Sequence, residues 1–260
     1  IHVVMINQTR MQDARAVAYR ALSLGALLKR CEFERAVQNL DEIILFDDVR
    51  HKFIRKHRIL SERLQQWLID EGIAPHLSQN ERYLLDLPLG KWSERVLTTV
   101  GWRCEALGMM LWALQRLDHR PDYDTPFALL DVLEPLDIFN PTIDFIWLAT
   151  LRDDHALDRC RDQAELWNWR SRATELERMG VRPPEGVSFR EIIRETAQRA
   201  YHDGHIRHPI NGDFPAFNKP YVHLDDDEYN LLSAIAYERY FALNWVCELS
   251  SEWENVPIDR

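Results

Sequence analysis

The sequence predicts an all-α fold: one domain over residues 1–260, with many helices around a central apolar helix. Three observations predict it. Glycine is scarce, at 9 of 260 residues, against roughly 7% in average proteins, which disfavours glycine-rich nucleotide folds and β sandwiches. Apolar residues recur at helical spacing along most of the chain. Apolar residues make up 46% of the chain and charged residues 28%, so a chain of this length is expected to bury a substantial core.

Periodicity, capping residues and helix breakers place the helices in chain order. Gly25 is expected to weaken or kink the first helix. The second helix ends before Gly72, a typical C-cap, and a later one ends before Gly180. Ser78 and Glu81 form a capping-box pattern that opens a short helix. The predicted helices cover residues 11–38, about 48–71, about 79–86, about 92–117, about 141–150, about 153–178, about 189–202 and about 225–249.

Two other features of the chain are predicted to be non-helical. Residues 1–6 are apolar except for His2 and are candidates to pair with the run at 41–46, as a minor two-stranded β element near the N-terminus. Residues 203–224 are interrupted by glycine and proline and predict a long loop. An irregular loop of this length is more often functional or a subunit contact than a spacer. It is therefore a candidate surface for a protein partner or for a homo-oligomer.

The charge balance narrows the class of partner. The chain has 32 Lys and Arg against 42 Asp and Glu, a formal net charge of −10. Such a surface is poorly suited to non-specific binding of nucleic acid phosphates. The basic run at residues 50–58 is interpreted as a solvated helix face. The sequence contains no run of 18 apolar residues, so no helix is expected to span a membrane.

Cysteine usage predicts the compartment. The four cysteines, Cys31, Cys104, Cys160 and Cys247, form no CxxC pair. Cys104 and Cys247 fall in apolar helical segments. Free buried thiols in a reducing cytosol are the simplest interpretation, so a cytoplasmic location is expected.

Charged residues interrupt apolar stripes in two of the predicted helices. In the helix at 92–117, Arg103 and Glu105 each stand alone among the apolar residues of their stripe. In the last helix, Glu238 and Arg239 occupy equivalent positions. A helix that is apolar on nearly all sides is expected to be buried, and these four side chains would be buried with it.

A third helix adds further charges of this kind, with Asp162 and Arg170 inside it and Arg152 just before it. An unpaired buried charge costs several kcal/mol, so we expect the acidic members to pair with the arginines. One interpretation is a structural network that fixes the helix arrangement. The other is a pocket whose arginines bind an anionic ligand or whose carboxylates hold a metal. The candidate residues are Arg103, Glu105, Arg152, Asp162, Arg170, Glu238 and Arg239.

Three motifs carry a resemblance to a known family. The first is Trp-Arg-Cys-Glu-Ala-Leu at 102–107 with Leu-Trp-Ala-Leu at 111–114. The second is the pair at 151–152 with Asp162 and the Trp-rich helix that follows. The third is Glu-Arg-Tyr-Phe-Ala-Leu-Asn-Trp at 238–245, ending in the segment 253–259.

These motifs resemble a bacterial family known as domain of unknown function 4272. The resemblance covers residues 60–260 and leaves 1–60 as a peripheral N-terminal part. It implies a fold and no established activity.

Four histidines are weak candidates for a Zn or Ni site because imidazole is a common metal ligand. Gly204 and Pro209 prevent one continuous helix from presenting the first three together, so a solvated loop is the favoured interpretation. No cofactor is predicted. The histidines are His202, His205, His208 and His223.

The leading functional hypothesis is a non-enzymatic cytoplasmic binding or interaction protein. The acidic charge, the long loop and the lack of nucleophile-elbow, P-loop, dinucleotide-binding, zincin and kinase motifs favour it. The alternative is a hydrolase-type enzyme with Glu105 and Glu238 as catalytic carboxylates beside Arg103 and Arg239 in a pocket, with or without a metal. A solvent-connected pocket that reaches two or more of these residues would favour the alternative.

Overall fold

The all-α prediction is confirmed. A computed structural model describes residues 11–40, 46–181, 183, 188–247, 250 and 252–258. Within these residues the chain forms nine α-helices and one small antiparallel pair of strands. The described chain divides into two compact units. Among the described residues, the N-terminal unit comprises those within 13–120 and 127–151, and the C-terminal unit comprises 11–12, 121–126 and those within 152–258.

The N-terminal unit is built around α1, which packs mainly on α4 and also on α2. Helix α1 runs without interruption through Gly25, where a Cβ would lie 2.1 Å from Cδ1 of Leu136. The glycine therefore allows close packing and does not break the helix. The helices of this unit are α1 (Ala14–Gln38), α2 (Asp47–Asp70), α3 (Gln79–Asp86), α4 (Glu94–Ala113), α5 (Leu129–Leu133) and α6 (Ile143–Trp147).

The C-terminal unit is built on the packing of its two long helices against each other. The segment that precedes the last helix holds the two short strands, with Pro215 opposite Pro220 and Ala216 opposite Lys219. The elements of this unit are α7 (Asp154–Arg178), α8 (Phe189–His202), β1 (Pro215–Ala216), β2 (Lys219–Pro220) and α9 (Asp226–Val246).

The predicted helix starts agree with the observed caps. Ser78 and Glu81 form the expected capping box at α3. Ser188 caps α8 and Asp225 caps α9, each with a glutamate three residues later that completes a capping box. These side chains accept hydrogen bonds from backbone amides that the first turn leaves unpaired.

The predicted end of α4 was too late by four residues. The helix stops at Ala113 because Gln115 adopts a left-handed conformation, with φ of 59°. The amide of Arg116 then donates to the carbonyl of Leu111, and that of Gln115 to the carbonyl of Trp112. This is a Schellman motif formed without glycine, so the residue types gave no stop signal.

The short elements were predicted less well than the long helices. The predicted β element near the N-terminus rests on residues 1–6 and 41–46, of which 1–6 and 41–45 lie outside the described residues. The observed strands instead lie at 215–220, inside the segment predicted to be an irregular loop. Each strand has two residues, too few for an alternating pattern to show in the sequence. The five-residue helix α5 was also missed, for the same reason.

No helix in the described part of the chain is long and apolar enough to cross a membrane.

Candidate functional site

The segment 203–224, here called the anchored loop, is held to α7 by a buried ion pair. Arg170 of α7 donates from Nε to Oδ1 of Asp213 at 2.7 Å and from Nη2 to Oδ2 at 2.8 Å. Arg170 is fully buried and Asp213 nearly so. A planar guanidinium matches a carboxylate in this two-point geometry, which gives direction as well as attraction.

Both partners are hydrogen-bonded beyond the pair. The amides of Phe214 and Val222 donate to the two carboxylate oxygens of Asp213, at 2.7 and 2.9 Å. The remaining Nη1 of Arg170 donates to the hydroxyl of Thr174 at 2.6 Å. Because Asp213 takes one amide from each end of the segment 214–222, it closes this hairpin-bearing part of the loop onto itself as well as onto α7.

Further hydrogen bonds fix the loop along its length. Gln163 of α7 donates to the carbonyl of His205 at 2.6 Å. The hydroxyls of Ser171 and Tyr221 lie 2.7 Å apart, and burial raises the pKa of Tyr221. Lys219 forms an ion pair with Glu228 of α9 at 2.5 Å. The loop is irregular in shape but tied to α7 and α9.

The tip of the loop holds strained backbone. Phe217 and Asn218 connect the two strands with φ of 51° and 60°. Two residues with positive φ form the turn that suits a two-residue hairpin, normally made by Asn-Gly. A phenylalanine there costs about 1–2 kcal/mol. The amide of Phe217 donates to Oδ2 of Asp124 at 2.8 Å, which holds the tip in place.

A cleft of about 1010 Å³ opens between the loop, α7 and α8. Its wall includes the buried pair of Arg170 and Asp213, two arginines of α8, and the end of the loop at Val222 and His223. A second cleft, of about 220 Å³, is lined by the stacked rings of Tyr123 and Trp167 and by Arg207.

The structure buries three of the four charges predicted in apolar stripes. Glu105 is 1% exposed, and Glu238 and Arg239 are also buried, whereas Arg103 is half-buried. Oε1 of Glu105 accepts the amide of Phe127 at 2.8 Å, within the N-terminal unit. The carboxylate thus holds a chain segment to α4.

Arg239 makes the same kind of contact from the C-terminal unit. Its Nη1 donates to the carbonyl oxygens of Pro121 and Asp122, at 2.8 and 3.3 Å. Its Nη2 donates to the carbonyl of Thr125 at 3.0 Å. The guanidinium also lies over the ring of Tyr123, 4.9 Å from its centre. Arg239 therefore fixes the segment 121–126 to α9.

The remaining residues of the predicted buried charge network differ from the prediction in exposure or in partner. Asp162 has a side chain that is 50% exposed, and it pairs with the adjacent Arg161 instead of one of the predicted arginines. Arg152 is half-buried. The partner of Arg170 is Asp213, which sequence reasoning missed because a loop residue has no periodicity to mark it. The expected acid–arginine pairing is therefore wrong for Asp162 and for Arg170.

The histidines predicted as weak metal candidates do not converge. Nε2 of His202 lies 2.9 Å from the side-chain nitrogen of Gln198, and Nδ1 of His208 lies 2.9 Å from the carbonyl oxygen of Pro209. His205 contributes its backbone carbonyl to Gln163, and His223 lines the larger cleft. Among the described residues there is no group of three or more His, Cys, Asp or Glu arranged to hold a metal.

A buried cluster in α1 was also missed. Arg30 and Glu34 of α1 are buried and joined by two hydrogen bonds, from Nε at 3.1 Å and Nη2 at 2.6 Å. Arg30 also donates to the carbonyls of Leu85 and Leu87, and Glu34 accepts the amide of Gly90. Both residues follow Leu27 at helical spacing, so the interrupted-stripe signal was present in α1.

Taken together, the helices and the anchored loop define an all-α protein whose buried charges bind backbone and hold loops to helices. The family model described as domain of unknown function (DUF4272) matches residues 2–190. The chain belongs to this family.

The matched range includes nearly all of residues 1–60, which the resemblance left as a peripheral part, and it ends before the third motif at 238–259. No curated protein and no solved structure matches the chain.

Proposed function

We propose that this chain is a non-enzymatic binding protein whose recognition surface is the anchored loop, residues 203–224. The carrying observation is the buried Arg170–Asp213 pair, which fastens the loop to α7 at two points. A scaffold helix with an irregular loop fixed on it is a common arrangement for recognition, since rigid elements position loops that bind.

The energetics of the loop support this proposal. Phe217 keeps a left-handed backbone at a cost of about 1–2 kcal/mol, and Asp213 and Asp124 hold the surrounding chain in that shape. Strained backbone concentrates where structure serves a purpose other than stability. A loop ordered before binding loses less conformational entropy when a partner arrives, which increases affinity.

The occupant we propose is a protein, either a different chain or a second copy of this one. Val222 leaves 62% of its surface exposed within an otherwise well-anchored segment. The net charge of −10 disfavours a nucleic acid partner. The four free, buried thiols are consistent with a reducing cytoplasm as the place of action. The proposal requires no cofactor.

The hydrolase alternative has less support from the contacts. A catalytic carboxylate has to reach substrate, and Glu105 is 1% exposed with one oxygen held by the amide of Phe127. Arg239 donates hydrogen bonds to three backbone carbonyls of the segment 121–126. These contacts favour a structural role for Glu105 and Arg239, in which each holds a chain segment to a helix.

Site-specific photocrosslinking in living host cells tests the proposal. A photoreactive residue replaces Val222 in the loop or, as the control, Met179, which is 66% exposed and lies outside the loop. We expect one defined adduct from position 222 and none from 179. An adduct of twice the chain mass identifies a second copy, and any other single mass identifies a different protein. Equal adducts from both positions, or none from 222, would contradict the proposal.

A further inference from the structure

The larger cleft beside the anchored loop is lined by two arginines of α8 that form no ion pair with any of the described residues. Three carboxylates and three arginines line it. Asp213 is committed to Arg170 and to two amides. Glu191 is committed to the cap of α8, where it accepts the amide and the hydroxyl of Ser188 at 3.0 and 2.9 Å. Hydrogen bonds from Ser188 and, after them, the charge of Arg194 lower the pKa of Glu191. Glu177 is the third carboxylate of the lining, which also holds the two arginines of α8.

Those two arginines, Arg190 and Arg194, are four residues apart and exposed on one face of α8. Among the described residues, no carboxylate lies within ion-pair distance of either one. Like charges at this spacing repel each other and destabilise an isolated helix. An anion bound between them would offset that repulsion and accept hydrogen bonds from both guanidinium groups.

The position of Arg194 is set by packing. A Cβ built on Gly212 would lie 3.1 Å from Cγ and 3.5 Å from Cδ of Arg194, so the stem of this arginine crosses the loop at the glycine. The stem is thus supported by the loop beside the cleft, which lowers the entropy lost when the guanidinium binds. Gly212 also has a φ of 79°, a conformation that suits glycine.

The remaining wall is partly apolar. Ile193 lies on the same helix, and Pro220 and Val222 close the loop side. Ligand pockets of proteins commonly have volumes of about 300–1,000 Å³ and combine apolar walls with a few polar groups. The cleft, at about 1010 Å³, lies at the upper end of this range.

We propose that this cleft binds a small organic anion, with a phosphate or carboxylate group between Arg190 and Arg194 and an apolar part against Ile193 and Val222. The cleft shares Val222 with the protein contact proposed above, but binding of the anion does not require a protein partner. Binding of the anion is a property of the isolated chain.

Isothermal titration calorimetry on the purified chain tests this inference with phenyl phosphate, phenylacetate and, as the uncharged control, phenol. We expect one or both anions to bind and phenol to bind at least about tenfold more weakly, because a hydrogen bond to a charged group contributes about 1.5–3 kcal/mol. Whichever anion binds more tightly identifies the head group. Dissociation constants above about 10 mM for both anions, or equal binding of phenol, would overturn the inference.

Matched variants locate the binding. Arg190→Gln and Arg194→Gln are each expected to weaken binding of the tighter anion about tenfold, whereas Arg199→Gln is expected to leave it unchanged. Arg199 is exposed on the same helix and does not line the cleft. Glu177→Gln removes one negative charge from the lining and is expected to tighten binding. An equal loss in all three arginine variants would overturn the inference, and the photocrosslinking result would be unaffected.

Discussion

Arg170 and Asp213 form a two-point ion pair that fastens the anchored loop to α7, with donor–acceptor distances of 2.7 and 2.8 Å. Both side chains are buried, so water does not weaken the attraction. Asp213 also receives the amides of Phe214 and Val222. The shape of the loop therefore depends on one carboxylate, and through it on Arg170.

Breaking this pair is expected to destabilise the protein. Arg170→Gln leaves the buried carboxylate of Asp213 without its cation, and such a loss costs about 3–5 kcal/mol. Arg178→Gln on the same helix is the matched control. Its ion pair with Asp226 is well exposed and should be worth less than about 1 kcal/mol. Urea unfolding measures both, and equal free energies of unfolding for the two variants would contradict the account.

We expect the same effect from the second buried pair, Arg30 and Glu34, in the N-terminal unit. Glu34→Gln leaves Arg30 as an uncompensated charge, and we expect a loss of about 3–5 kcal/mol in the free energy of unfolding. Glu32→Gln, two residues away, removes a partly exposed pair with Lys29 and should cost less than about 1 kcal/mol. Thermal or urea unfolding distinguishes them. A loss from Glu34→Gln as small as that from Glu32→Gln would show that the Arg30 cluster is not needed for stability.

Two glycines of α4 are expected to respond in opposite directions to alanine. A Cβ at Gly108 would lie 2.4 Å from the ring of Phe127, so Gly108→Ala should destabilise by about 1–3 kcal/mol through overpacking. A Cβ at Gly101 meets only the tip of Arg35 at 3.0 Å, which can move aside. Gly101→Ala should then be neutral or stabilising by up to about 1 kcal/mol, from helix propensity. Destabilisation of the same size in both variants would contradict the packing described here.

The strain at the tip of the loop is measurable with two variants that both remove the ring. Phe217→Gly and Phe217→Ala lose the same contacts and differ mainly in how they tolerate a φ of 51°. The glycine variant should be more stable than the alanine variant by about 1 kcal/mol, although glycine ordinarily costs more backbone entropy. Chemical unfolding of both provides the comparison. A more stable alanine variant would exclude a left-handed backbone at this position.

The buried Cys247 is expected to resist alkylation. Burial raises the pKa of its thiol to about 12 from an ordinary value of 9.0. Because only the thiolate reacts, iodoacetamide should modify native Cys247 far more slowly at pH 8 than in urea-unfolded chain. Quantitative mass spectrometry gives both rates, and equal rates would contradict the burial.

The same shift has a consequence for stability. The folded state holds the Cys247 proton more tightly than the unfolded state, so its contribution is complete below pH 9 and is lost as the pH rises from 9 towards about 12. The free energy of unfolding should fall over this interval, and by less in Cys247→Ala. A variant with the same pH dependence as the parent chain would show that another group is responsible.

Local signals predicted the helices well because caps and periodicity act over a few residues. Ser78, Ser188 and Asp225 each sit at an observed N-cap. Interrupted apolar stripes likewise indicated that Glu105, Glu238 and Arg239 are buried. The end of α4 was missed because a glutamine, not a glycine, takes the left-handed cap position.

The long-range partners were beyond this reasoning. Asp213 lies 43 positions from Arg170 in a segment without periodicity, and nothing in its neighbours marks it as buried. Arg239 and Glu105 were expected to meet opposite charges, yet the described contacts of both include backbone amides or carbonyls. A charge pattern shows that a partner is needed, and it cannot distinguish a side-chain partner from a backbone one.

The central claim is that the Arg170–Asp213 pair fixes the anchored loop, and amide hydrogen exchange in Asp213→Asn tests it most directly. The amides of Phe214 and Val222 donate to Asp213, whereas that of Phe217 donates to Asp124. The account predicts exchange at least about tenfold faster at 214 and 222 in Asp213→Asn, with α7 protected as before and with Arg178→Gln unchanged. Unaltered protection at 214 and 222 in Asp213→Asn would contradict it.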